Sequence, residues 1–178
     1  TVDEVLIMRN MGSQSTWGVE FDFEGYVVDN LRVNGAYSFD HGEYADEMDG
    51  DPTAPWKPQD QIGGNQLKRM TKHKIALGGT YTLPTDIGDF AFNLRYYWQD
   101  EVFFDQYHST AKYAPAYDRI DTRIWWNSPS YKWRIAVSLN NIQDSVNIQN
   151  VPEAGVDSPR HWFVGTPRTW GVEVAYRF

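Results

Sequence analysis

The chain has no cysteine, no apolar run long enough to cross a membrane as a helix, and no surplus of positive charge. Without cysteine there is neither a disulfide framework nor a thiolate metal site. A helical span needs about 18 or more consecutive apolar residues, whereas the longest run near the start is Val5-Leu6-Ile7-Met8. In lipid only helices and closed barrels satisfy their own backbone hydrogen bonds, so any membrane reading must rest on strands. A net charge of -8 offers no basic stripe to meet phosphates, and nucleic acid is not an expected partner. The chain opens at Thr1-Val2-Asp3, with neither a methionine nor a basic segment leading into an apolar one. The expectation is that a signal peptide has been removed or that the chain is a piece of something longer.

Aromatic residues, by contrast, are plentiful: 8 Trp, 11 Tyr and 9 Phe make up 16% of the chain. Mean hydropathy is nevertheless -0.60. Alternating strands produce this combination, because every second residue is polar. The last nine residues show it most clearly. Trp170, Val172, Val174, Tyr176 and Phe178 share one face, opposed by Gly171, Glu173, Ala175 and Arg177. A transmembrane strand has about 9–11 residues with an apolar lipid face and a polar lumen face.

The same period of two recurs along the chain. Its apolar faces are Trp17–Phe23, Leu31–Phe39, Ile75–Leu83, Phe90–Trp98, Ile120–Trp126 and Trp133–Leu139, each taken at every second residue. The opposing faces carry Glu20, Asp22, Glu24, Arg32, Asp40, Arg95, Asp121, Arg123, Arg134, Glu173 and Arg177. With the terminal strand this makes seven strands, and an eighth, weaker one is expected within residues 2–10. Short turns at Asp29-Asn30, 84–89 and 128–131 alternate with long polar loops at roughly 45–70, 105–116 and 148–167. Short turns on one side and long loops on the other characterise outer-membrane barrels, the long loops being extracellular. Counting back from Phe178 at the periplasmic rim puts every short turn in the periplasm. The apolar faces carry no charge, as a lipid-facing surface requires when a charge at the midplane costs about 2–4 kcal/mol. Aromatics near strand ends (Trp17, Phe39, Tyr81, Trp98, Trp126, Trp133, Trp170, Phe178) fit the interfacial girdles of such barrels.

Several segments resemble TonB-dependent outer-membrane receptors. Thr16-Trp17-Gly18-Val19-Glu20, Asp29-Asn30-Leu31 and Asn34-Gly35-Ala36-Tyr37-Ser38 look like a hairpin of that family. Asn140-Asn141-Ile142-Gln143-Asp144 is similar to its Asn-Leu-x-Asp segment, with Ile142 in place of the usual Leu. Pro167-Arg168-Thr169-Trp170 through Phe178 resembles its closing strand, whose terminal aromatic pattern the barrel-assembly machinery recognises. The resemblance covers roughly residues 15–178. It implies a barrel of about 22 strands with an N-terminal plug domain, of which residues 1–178 would supply the C-terminal portion, about eight strands with no plug and no TonB-contacting segment. It also implies the function: loops and plug catch a scarce external ligand (siderophore-type, cofactor or saccharide), and energised periplasmic TonB displaces the plug. TonB would be engaged only through N-terminal parts outside this chain. Outer-membrane lipid and lipopolysaccharide are the expected surroundings.

No catalytic constellation or Gly-rich phosphate loop follows a strand, so the reading is not an enzyme and calls for no cofactor. His41, His73, His108 and His161 read as scattered, solvated loop histidines. The acidic run Asp46-Glu47-Met48-Asp49-Gly50-Asp51 lacks EF-hand spacing and its distal Glu, so no metal site is assigned. Candidate ligand contacts are the loop aromatics Trp56, Phe103, Phe104, Tyr107 and Trp162, beside Trp98 and Tyr113, since exposed rings stack on sugars or hydrophobic chelators. Inward Arg95, Arg123 and Arg134 focus positive potential for an anionic substrate or pair with neighbouring carboxylates. The expected fold is an all-β, antiparallel transmembrane β-barrel. The rivals are a complete eight-stranded barrel with a structural or adhesion role and a soluble ligand-binding β-barrel.

Overall fold

The computed structural model describes residues 13–45, 48–49, 60–152 and 161–178. In chain order the strands are β1 (Gln14–Val28), β2 (Leu31–Tyr44), β3 (Met48–Asp49), β4 (Asp60–Gln61), β5 (His73–Thr85), β6 (Gly88–Gln99) and β7 (Val102–Phe103), followed by β8 (Tyr113–Ala114), β9 (Tyr117–Asn127), β10 (Trp133–Asn140), β11 (Ile148–Asn150), β12 (Phe163–Val164) and β13 (Thr169–Tyr176). A 3-10 turn, Thr110–Lys112, precedes β8. No helix among the described residues is long and apolar enough to cross a membrane.

Seven strands form one antiparallel sheet in the order β1-β2-β5-β6-β9-β10-β13, each bonded to its neighbour along the chain. These are the seven strands expected from the alternation; the eighth, within residues 2–10, lies outside the described residues. β1 and β13 are the two edges and do not pair with one another, so the sheet is an open arc of barrel wall. The complete eight-stranded barrel finds no support in this arrangement. The remaining strands are two- or three-residue ladders inside the long connections: β3 with β4, β7 with β8, and β11 with β12.

Register brings the apolar faces of all seven strands together. Phe21 lies opposite Tyr37, Tyr37 opposite Ile75, and Ile75 opposite Trp98. Farther along the sheet Phe92 faces Ile124, Ile124 faces Val137, and Val137 faces Val172. A slip of one residue in any strand would move its whole apolar set to the other side. This face is not covered by protein: Val19, Leu94, Val172 and Val174 are each more than half exposed. One uncovered apolar face over seven strands far exceeds what a soluble monomer leaves in water.

β1 has 15 residues. At roughly 3.3 Å per residue and a tilt near 40° it rises about 38 Å, past the apolar band of about 25 Å. Its end therefore projects toward the long loops. At the opposite end two short turns are fastened together. The Trp126 indole N–H donates to the Ile87 carbonyl at 2.9 Å, and the Tyr131 hydroxyl donates to Asp89. Gly88 makes that approach possible. Its φ is +119°, and a Cβ there would lie 2.1 Å from the Asn127 carbonyl oxygen.

Candidate functional site

Two regions hold the chemistry: the polar inner face of the sheet and a cap folded from the long connections. On the inner face, charges that the alternation places on one side of the sheet form ion pairs within a strand and between strands. Arg32 meets Glu24 at 2.7 Å and Lys74 meets Asp40 at 3.2 Å. Farther around the arc, Arg119 reaches Asp121 at 2.9 Å, Arg123 reaches Glu173 at 2.8 Å, and Arg95 stands 3.7 Å from Asp121. Among the described residues Arg134 forms no ion pair; its Nε–H donates to the neutral Asn127 Oδ1 at 2.8 Å. The three arginines expected at the lumen are thus brought together. With Asn93 and Trp125 they line one open concavity of about 380 Å³.

Asp121 is almost fully buried and belongs to a second node. The Asn141 backbone N–H donates to its Oδ1 at 2.9 Å. Asn141 is 1% exposed. It has a φ of +53°, which asparagine tolerates better than most residues. Its amide donates to the carbonyls of Ser145 and Thr166, and its Oδ1 accepts from the Ser145 N–H. Three residues on, Asp144 Oδ1 accepts from the Arg168 N–H at 2.8 Å, and Gln143 Oε1 accepts from the Ile120 N–H at 2.8 Å. The Asn-Asn-Ile-Gln-Asp segment is therefore a clasp joining β9, β10 and the entry to β13.

The cap contains most of the buried apolar residues. Val102, Phe104, Ala114 and Val151 form one cluster with Ile148 packed against it, and Ile62 and Leu67 are buried nearby. Backbone bonds from Leu67 to Gly42 and from Arg69 to Phe103 tie the first long connection to the strand ends and to the second. Arg69 also donates to Asn150 at 3.2 Å, and the Asn65 amide donates to the Gln106 carbonyl at 2.9 Å.

The predicted loop aromatics do not converge on one pocket. Phe104 is 7% exposed and fills the cap core, which takes it out of reach of an external ligand. Phe103 is half-buried, stacked on His108 at 4.0 Å between ring centres and tilted against Tyr113 at 5.2 Å. Tyr107 is also half-buried in the cap, Trp162 is 61% exposed, and Trp56 lies outside the described residues. Most of the acidic run 46–51 lies outside them too. The Tyr113 hydroxyl donates to Glu101 at 2.9 Å, and this bond, with desolvation second, raises the phenol above its ordinary value.

Three of the four histidines are not free loop residues. His41 and His73 lie within β2 and β5 on the outward face, at the long-loop end. His41 packs against Trp17 and meets Glu43 at 3.3 Å; His73 packs against Phe39 and shares a 2.9 Å hydrogen bond with Tyr37. His108 stacks on Phe103. They extend the aromatic girdle and cap packing, which a scan for loops could not reveal. Sequence reasoning also overlooked the place of Trp125 in the arginine concavity, although an aromatic on an otherwise polar face was a visible signal. No group of three or more potential metal-ligating side chains occurs among the described residues.

An uncovered apolar outer face, a charged inner face, clasped short turns and a cap at the long-loop end define one arc of an outer-membrane β-barrel. The family model described as TonB dependent receptor-like, beta-barrel, matches residues 1–142. The chain belongs to the TonB-dependent receptor family, as part of its barrel, and to the bacterial outer membrane in which those receptors reside. The family is one of receptors and transporters, not enzymes. No curated protein matches the sequence. Among solved structures, the ferric yersiniabactin uptake receptor FyuA of Yersinia pestis aligns with a TM-score of 0.77 at 16% identity, over 95% of this chain and 24% of that one. The siderophore receptor PiuA of Acinetobacter baumannii aligns with a TM-score of 0.71 at 18% identity, over 92% and 22%. The ferric preacinetobactin receptor BauA of the same organism gives 0.69 at 14%, again over 92% and 22%. At these identities the likeness is one of fold. The chain spans about a quarter of the length of the receptors it matches.

Proposed function

We propose that this chain is the C-terminal portion of the barrel of a TonB-dependent receptor of about 22 strands, importing a scarce ligand of siderophore type across the outer membrane. The observation that supports it most is the pairing of faces. One uncovered apolar surface runs in register across seven strands, and a charged face with an open concavity lies behind it. In this reading the cap and the exposed Trp162, with the Phe103–Tyr113 edge and Trp56, contribute ligand contacts from outside. Arg95, Arg123 and Arg134 belong to the passage wall. Energised TonB acts through N-terminal parts of the same polypeptide. The exposed terminal aromatic Phe178, in edge-to-face contact with Tyr176 at 5.1 Å, is the handle taken by the barrel-assembly machinery. Lipopolysaccharide surrounds the outer girdle.

The test is a strain deleted for the encoding gene, grown with an iron chelator and supplied with radio-iron bound to its own secreted chelators. Loss of energy-dependent uptake, restored by the intact gene but not in a strain lacking TonB, is expected. Uptake unchanged by the deletion would overturn the siderophore reading. Recovery of the intact protein from the detergent-free soluble fraction would overturn the membrane reading with it.

A further inference from the structure

We infer that the cap is a gate that parts along one seam, with the first long connection on one side and the second and third together on the other, and that Arg69 and His108 are its latch. The inference rests on the transport reading and adds to it the place where the outer mouth opens. The two sides are built differently. The second and third connections share the apolar cluster of Val102, Phe104, Ala114 and Val151, to which, among the described residues, the first contributes no member. The first is fastened to the wall instead. The Tyr44 N–H donates to the Asn65 carbonyl at 3.0 Å, and the Leu67 N–H donates to the Gly42 carbonyl at 2.9 Å. Gly42 leaves room for that contact, since a Cβ there would lie 2.6 Å from Met70 Cε and 3.0 Å from Leu67 Cδ1.

Across the seam the contacts are polar. The Arg69 N–H donates to the Phe103 carbonyl at 2.7 Å, and its guanidinium donates to Asn150 at 3.2 Å. The Asn65 amide donates to the Gln106 carbonyl and His108 Nε2 to the Gln66 carbonyl, both at 2.9 Å. Such bonds add little to closure, because water offers the same partners once the joint opens. Parting the apolar cluster would instead expose its surface to water. Both latch residues also hold strain: the φ of Arg69 is +63° and that of His108 is +52°. A left-handed backbone is costly for most residues and persists only while its surroundings enforce it. Opening releases that strain, so the closed joint is poised to part. Gln66 and His108 also line, with Asp40, Glu43 and Lys72, a concavity of about 220 Å³ at the same joint. Parting the seam widens an opening already present, beside the stacked rings of Phe103 and His108.

The experiment uses the whole receptor in detergent and follows hydrogen–deuterium exchange amide by amide, with electron-transfer fragmentation. The Arg69 N–H bonds across the seam and the Leu67 N–H within one side. The Phe104 N–H, held by the Lys112 carbonyl at 2.8 Å, bonds within the other. Protection at Arg69 is expected to be about tenfold or more below that at both of the others. Asn150→Ala, which removes the partner of the guanidinium, should lower it about threefold further and leave Leu67 and Phe104 unchanged. Arg69→Asn added to Asn150→Ala keeps the backbone bond and relieves the dihedral, so protection should rise again; if it does not, Arg69 is no strained latch. Labelling of His108 by diethyl pyrocarbonate, read by mass, should speed up in Asn150→Ala by the same factor as exchange at Arg69. Equal protection of the three amides would mean that the cap opens as one body or not at all, and overturns the inference. So does His108 labelling that ignores Asn150→Ala, since a seam that admits no small reagent is no gate. The measurement needs neither TonB nor a transported ligand, so its failure is distinct from failure of the uptake test.

Discussion

Ile62, Leu67, Val102, Phe104 and Val151 are buried, and all lie in the long connections or the short ladders within them. Val19, Leu94, Val137 and Val172 are about half exposed or more, and all lie within the long strands. The usual arrangement, with core in the elements and exposure in the loops, is inverted. Each region is placed in a different solvent. The wall uses acyl chains as its apolar phase and needs no second protein layer on that side. The cap stands in water and must build its own core, which it does by drawing Val102, Phe104, Ala114 and Val151 from two separate connections.

The comparison can be broken most strongly from the cap side. Phe104→Ala opens a cavity that nothing fills, and the expected local loss is about 3–5 kcal/mol. Faster hydrogen exchange and proteolytic nicking between 100 and 116 should appear while the barrel stays assembled. Leu94→Ala on the outward face should cost much less, because acyl chains close over the missing side chain. If the two substitutions cost the same in matched denaturant titrations, the inversion of solvents is wrong.

A charge probes the wall in the opposite sense. Leu77 and Ala76 are adjacent in β5, both are exposed, and they point to opposite faces. Leu77→Arg should destabilise the folded barrel by about 2–4 kcal/mol if it lies near the bilayer midplane. Ala76→Arg, on the face shared with Asp22 and Ala36, should be nearly neutral. Refolding into phospholipid vesicles across a denaturant series separates them. Equal tolerance of both would mean that the outward face does not meet lipid.

This contrast also explains which parts of the molecule were legible in the sequence. A strand between lipid and lumen must alternate, so β1, β2, β5, β6, β9, β10 and β13 announced themselves by period alone. The inward direction of Arg95, Arg123 and Arg134 followed from the same parity. Their convergence around Trp125 did not, because it depends on register among three strands. The cap has no period at all. Phe103, Phe104 and Tyr107 looked alike as loop aromatics, and only the fold separates Phe104, buried against Val151, from its neighbours. The Asn-Asn-Ile-Gln-Asp segment was visible as a motif, but its reason was not: Asn141 satisfies backbone groups of two strand exits at a positive φ. Asn141→Ala should leave those groups unpaired and cost about 1–3 kcal/mol. Asn141→Gly, which relieves the dihedral but not the bonds, should recover little of it. Full recovery by glycine in a thermal melt would reduce the clasp to a matter of backbone strain.

The smallest expected effect belongs to the cap alone and concerns pH. The Glu101 carboxylate accepts from the Tyr113 hydroxyl, and that bond holds the phenol above its ordinary value of 10.0. A pKa raised in the folded state means that folding favours the neutral phenol. The contribution is therefore fully present below pH 10 and is lost as pH climbs through the raised value, where a phenolate would face Glu101 and Asp100. Because both partners are solvent-facing, screening keeps the effect small. Proteolytic nicking of 100–116, followed with rising pH, should show a step on the alkaline side of the ordinary tyrosine range. Glu101→Gln should move that step down toward 10, and Tyr113→Phe should abolish it. A step that persists in Tyr113→Phe would assign the alkaline opening to another group and remove pH from the list of differences between cap and wall.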